Sequence, residues 1–167
     1  MILSIHLMNE GKLNGGAGGF PSLDAIDRQI INTLSTDGRI TFAELGRQTN
    51  LSSPAVAERV RRLEQAGVIT GYRAEIDPRA LGYQLTAIVR VKPAVRQLSK
   101  IAELAAEIPQ IEECLRITGE DCFYVKLHLG SIEELPIVLD RFLLYGETTT
   151  SIVNATPVPR RDPPPHG

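Results

Sequence analysis

Hydrophobic residues change their spacing once along this chain, and that change restricts the fold more than any other feature. From Leu23 to Gly67 they recur every third or fourth position, the repeat of helices packed along one side. Ile26, Ile30 and Leu34 form one stripe, and Val56, Val60 and Leu63 form another. From Leu85 the repeat shortens to every second position: Leu85, Ala87, Val89 and Val91 line one side of a strand. Helices first and strands later predict an α+β protein in two parts.

Punctuation within the first part predicts three short helices. Asp24 can cap the first, and Asp37-Gly38-Arg39 breaks it. Thr41 and Glu44 have capping-box spacing for a second helix that ends at Thr49. Asn50 tolerates the left-handed backbone of a tight turn. The third helix starts at Ser52 or Ser53, with Pro54 suited to its first position and Gly67 to its end. Residues 68–77 read as extended chain with a turn at Gly71, the material of a small wing. The expected organisation is an arm of low order over 1–22, a helix-turn-helix domain over 23–77 and a linker over 78–84. A second domain spans 85–158, and an extended proline-rich tail spans 159–167.

The second domain is expected to run β-α-β-β-α-β, the split βαβ or ferredoxin-like plan. Its strands are 85–91, 111–118, 122–129 and 148–158, and its helices are 97–108 and about 132–144. Ile132, Leu135, Leu139 and Phe142 are the predicted inward face of the last helix, with Ser131 and Glu134 as its capping box. Gly119, Glu120 and Asp121 form a three-residue hairpin loop, so that Thr118 faces Cys122 and Cys114 faces Lys126. Both helices cover one face of the sheet. Apolar residues on the open face would invite a partner subunit.

The third helix carries the chemistry. Opposite its apolar stripe stand Glu58, Arg61, Arg62 and Gln65, with Ala55 and Arg59 at the flank. Its start, Ser52, Ser53 and Ala55, is small and polar enough for a phosphodiester to approach the free N–H groups closely. Arginines on the outer face reach phosphates or guanine edges. The net charge is −2, and residues 23–67 hold six arginines against six acids, so any basic patch is local. A solvated, ion-paired face explains the same residues without DNA. Two further classes remain open: a ferredoxin-like metabolic enzyme, and a helix-turn-helix that meets another protein.

Several stretches, "LDAIDRQIINTL", "DGR", "AEL", "LS" and "VAERVRRLEQAGVITGYRAEIDPRALG", follow the order and spacing of the Lrp/AsnC transcriptional regulators. The chain resembles that family over roughly residues 23–158. The resemblance implies binding of double-stranded DNA through Ser52 to Arg62, at a roughly palindromic operator. It implies a homodimer built by the second domain, assembled further into tetramers or octamers, and an amino acid or similar small effector bound between dimers. In the family a glycine-containing turn after the second strand lines the effector pocket, as glycine, two residues, then aspartate. Here Thr118 and Gly119 match, Cys122 stands at the aspartate position, and Asp121 lies one place earlier. Glu120, Asp121 and Thr150 are the candidate ligand contacts, since a carboxylate can receive an α-ammonium group.

Other chemistry finds little support. His6, His128 and His166 have no metal-ligand spacing, and no phosphate loop, dinucleotide fingerprint or nucleophile motif occurs, so no metal, cofactor or catalytic residue is expected. His128 falls with Tyr124 and Lys126 on the polar strand face. No apolar run approaches the roughly 20 residues that span a bilayer. Two cysteines and no export signal indicate the cytosol.

Overall fold

A computed structural model describes residues 19–165. The arm expected over 1–22 therefore lies almost entirely outside the described residues, as do His6 and His166. The described residues divide into two compact units, one of 19–74 with 161–165, the other of 75–160.

Three helices make the first unit: α1 (Ala25–Thr36), α2 (Phe42–Thr49) and α3 (Ser53–Gln65). Each begins at a side-chain cap. Asp24 accepts from the Asp27 N–H at 2.7 Å, and the Asp27 carboxylate accepts from the Asp24 N–H at 3.3 Å. Thr41 accepts from the Glu44 N–H, but the Glu44 carboxylate turns to Arg47, so the expected reciprocal box at α2 is half made. Ser52 caps α3, which puts Pro54 second rather than first in the helix. Asn50 is left-handed at φ 55°, ψ 37°. The turn is close enough that a Cβ on Gly46 would lie 2.5 Å from the Leu51 carbonyl oxygen. The helices enclose Ile30, Leu45, Val56, Val60 and Leu63. After α3, the Gly67 and Val68 N–H groups return to the Glu64 and Leu63 carbonyls. Residues 68–77 hold no strand and form no ladder, so they do not build the expected wing. Instead the Tyr72 hydroxyl donates to Glu64 on α3 at 2.9 Å.

The second unit follows the expected order: β1 (Leu85–Pro93), α4 (Leu98–Glu107), β2 (Ile111–Arg116), β3 (Phe123–Leu129), α5 (Glu134–Leu143) and β4 (Gly146–Ile152). The antiparallel sheet is ordered β2-β3-β1-β4. Ala87, Val89, Val91, Val125 and Leu127 meet Ile101 and Leu104 of α4 and Val138 and Phe142 of α5 in one core.

Five expectations change here. The hairpin loop has four residues, because Ile117 N–H bonds to the Cys122 carbonyl; Cys114 therefore faces Val125, not Lys126. A bulge between Ile111 and Glu113 shifts the register again. β4 ends at Ile152 rather than 158; the Val153 N–H makes one more bond, to the Thr86 carbonyl, before Pro157 and Pro159 follow. Ile132 is 49% exposed and lies before α5, where Pro136 occupies the first turn. The Glu134 carboxylate accepts from the Gly130 N–H at 3.1 Å rather than completing a box with Ser131. The open sheet face is also more polar than expected. Thr86, Arg90, Tyr124, Lys126, His128, Thr149 and Ser151 outnumber Ile88 and Leu115.

Candidate DNA-reading helix and effector loop

The sides of α3 are sorted by burial. Val56, Val60 and Leu63 are at most 2% exposed. Ser52, Ser53, Pro54, Glu58, Arg61, Arg62 and Gln65 are exposed, and Ala55 is half-buried. The Ser52 hydroxyl takes the Ala55 N–H at 3.4 Å, a long bond at an exposed helix start.

The three arginines differ in their surroundings. Arg61 pairs with Glu58 one turn earlier, with both side chains more than 60% exposed. Such a pair is worth at most about 1 kcal/mol and yields readily to another anion. Arg59 instead turns towards α1. Its Nη1 donates to Asp24 Oδ2 and Asp27 Oδ1, both at 2.7 Å, and its side chain is only 25% exposed. Arg62 stands between these extremes. Its Nη2 donates to both Asp27 oxygens at 2.9 Å, while its side chain stays 54% exposed. Arg59 is thus turned inward, where its guanidinium neutralises a buried acid in its own unit.

Asp27 is the residue that sequence reasoning missed. It is 1% exposed, yet its carboxylate receives Arg59, Arg62 and the Asp24 N–H. The only sequence signal is the Asp24/Asp27 pair at capping-box spacing, which accounts for a helix start but not for arginines about 35 residues downstream. The neighbouring Asp24 carboxyl is held below its usual range by the Asp27 N–H first, then by the Arg59 guanidinium.

The effector candidates are not all brought together. Thr118, Gly119 and Glu120 are exposed at the tip of the β2–β3 hairpin, with Gly119 at φ 113°. Asp121 turns back to Arg90 of β1 at 3.1 Å, another partner that alternation alone did not reveal. Cys122 is half-buried and directs its thiol to the Glu120 carbonyl at 3.9 Å. Thr150 lies on β4, paired with Val89 of β1 on the side away from the hairpin, so one protomer does not place it in the loop.

Remaining candidates have ordinary roles. Cys114 and Cys122 are free thiols, offset by three residues in the ladder, about 10 Å. His128 is 12% exposed, bonded to Thr86 at 3.0 Å through Nδ1 and to Glu112 at 2.8 Å through Nε2. The bulge at Glu112 supplies that carboxylate, which Lys126 also meets at 2.8 Å. A polar cleft of about 540 Å³ lies along α1 and α2, lined by residues including Gln29, Asn32, Thr33 and Gln48.

Comparison with known proteins covers both units. The AsnC-type helix-turn-helix domain matches residues 23–64, and the Lrp/AsnC ligand binding domain matches residues 86–163. The transcriptional regulator LrpC of Bacillus subtilis is 35% identical over 131 residues, covering 78% of this chain and 91% of that protein. The leucine-responsive regulatory protein of Rhizobium meliloti is 41% identical over 121 residues, covering 69% of this chain and 78% of its own. Among solved structures, a feast or famine regulatory protein of Mycobacterium tuberculosis complexed with L-methionine superposes with a TM-score of 0.80. It is 34% identical, with 86% of this chain and all of that one covered.

Proposed function

This chain belongs to the Lrp/AsnC family of helix-turn-helix transcriptional regulators, and on that footing we propose which of its surfaces do the work. It is a DNA-binding regulator and not an enzyme. The outer face of α3 enters the major groove: Ser52, Ser53 and Ala55 bring the helix N-terminus to a phosphate, and Glu58, Arg61 and Arg62 meet base edges and backbone. The single observation that supports this reading is the sorting of α3, with an apolar side fully enclosed and a cationic side left open.

A homodimer presents two such helices about 34 Å apart to a roughly palindromic operator, and further assembly gives tetramers or octamers. The effector is an amino acid, as the L-methionine complex of a relative suggests. The exposed Glu120 carboxylate receives its ammonium group; Asp121 can do so only by giving up Arg90. Thr118, Gly119 and Cys122 shape that loop, and Thr150 contributes only from another protomer. The effector acts by binding one assembly better than another, in the cytosol.

The test is a gel-shift titration on an operator found by footprinting, with Arg62→Ala as the variant. We expect affinity to fall about tenfold and sedimentation to show an unchanged oligomer. Unchanged affinity would refute the placement of α3.

A further inference from the structure

Asp27 is too deep to touch DNA, yet it holds the one arginine of α3 that is both anchored and open. It is an anion on a helix next to the DNA-facing helix, so deleting its charge should, by Coulomb's law alone, draw phosphates closer. The contacts argue the opposite. Arg62 gives only Nη2 to Asp27, at 2.9 Å to each oxygen, while 54% of its side chain faces solvent. Two bonds through one nitrogen restrict the guanidinium while more than half of the side chain remains open to an anion. Arg59 meanwhile supplies a second cation, 25% exposed, that balances the buried carboxylate. A guanidinium so held meets a phosphate without first losing the rotamer entropy of a free arginine.

We propose that Asp27 is a positioning residue for DNA contact, which aims the Arg62 guanidinium at the phosphate backbone while Arg59 neutralises it. The proposal rests on the reading of α3 as the DNA-facing helix. It assigns the three arginines three different duties: Arg59 supports, Arg62 is an aimed phosphate donor, and Arg61 is a mobile cation on the opposite flank.

Phosphate contacts do not depend on sequence, so a random-sequence duplex is a sufficient probe. The full-length protein, Asp27→Asn, Arg62→Ala and the double variant are titrated by fluorescence anisotropy over a range of salt, with circular dichroism recording the fold. Arg62→Ala should weaken binding and flatten the plot of log affinity against log salt by about one for each recognition helix engaged. Asp27→Asn should weaken binding about fivefold, and should cost nothing further once Arg62 is alanine. A purely structural role predicts an equal loss with and without Arg62, and that result overturns the proposal. Tighter binding by Asp27→Asn also overturns it, because Asp27 would then be a competitor of DNA. If Asp27→Asn does not fold, Asp27→Glu carries the same cycle, with its charge kept and its reach changed; loss of fold in both overturns the positioning role. The underlying reading fails differently: Arg62→Ala then binds as tightly as the parent, whatever Asp27 does.

Discussion

The two units stay folded by different means. The sheet unit encloses thirteen hydrophobic residues in one cluster, whereas the helical unit encloses five. About fifty residues around so few side chains lie near the lower limit for an independent fold. The helical unit adds polar fastenings: a cap on each helix, a left-handed Asn50, a closed turn after α3 and the buried Asp27 beneath two arginines. The sheet unit has ion pairs as well, Glu112 with Lys126 and Arg90 with Asp121, but they lie on its open face, away from the core. The surface proposed to meet DNA is thus set by contacts that solvent, salt and protons reach, while the sensing unit rests on burial.

Core deletion tests this contrast most severely. Leu45→Ala and Phe142→Ala remove fully buried side chains and should cost about 2–5 and 3–5 kcal/mol respectively. A unit of about fifty residues has roughly 3–7 kcal/mol to lose. Leu45→Ala should therefore remove most of the stability of α1–α3 with the sheet intact, whereas Phe142→Ala takes a smaller share of the stability of the sheet unit. Calorimetry reads this as a large fall, or loss, of one of two transitions. A single transition, moved equally by both variants, would break the contrast, because the units would then share one stability.

Gly46→Ala is the next largest. The added methyl would lie 2.5 Å from the Leu51 carbonyl oxygen, a backbone atom that cannot swing away. Overpacking of this kind costs about 1–3 kcal/mol, felt only in the helical transition. A smaller loss follows from Ser52→Ala, which removes the α3 cap. The bond is long, at 3.4 Å, so the cost should sit near the lower end of the range for caps, about 0.5–1 kcal/mol. An unchanged helical melt in Ser52→Ala would mean that burial alone holds α3, as it holds the sheet.

Legibility in the sequence divides along the same line. Features set by periodicity or by local caps were readable: the α3 stripe, the β-α-β-β-α-β order, Asn50, and Asp24 as a cap. What could not be read depends on partners far apart in sequence. Arg62 looked equivalent to Arg61, with Arg59 at their flank, until Asp24 and Asp27 came beside Arg59 and Arg62. Alternation located β2 and β3 but could not show the bulge at Glu112, since one inserted residue leaves the hydrophobic pattern of the partner strand unchanged. The strip over 68–77 has the composition of a wing but no ladder partner, and Tyr72 fastens it to α3 instead. In the β2–β3 hairpin Gly119 was readable, whereas the Arg90–Asp121 pair was not, because it requires knowing that β1 lies next to β3.

Acid should give the smallest effect, and it sharpens the contrast residue by residue. The folded Asp24 carboxyl titrates below its unfolded value of about 3.9, held there by the Asp27 N–H first and by Arg59 next. As pH falls the unfolded chain takes up this proton first. The stabilisation is therefore present above the unfolded value and disappears as pH drops through the folded one. Glu112 behaves alike in the sheet unit, lowered mainly by Lys126 and then by His128, so both units should soften below about pH 4. Asp24→Asn separates them. It should flatten the acid limb of the helical transition and leave that of the sheet unchanged, as followed by melting curves between pH 3 and about pH 6. If the sheet transition flattened too, the acid sensitivity would belong to the molecule as a whole, and the polar fastenings of the helical unit would have no separate stability to guard.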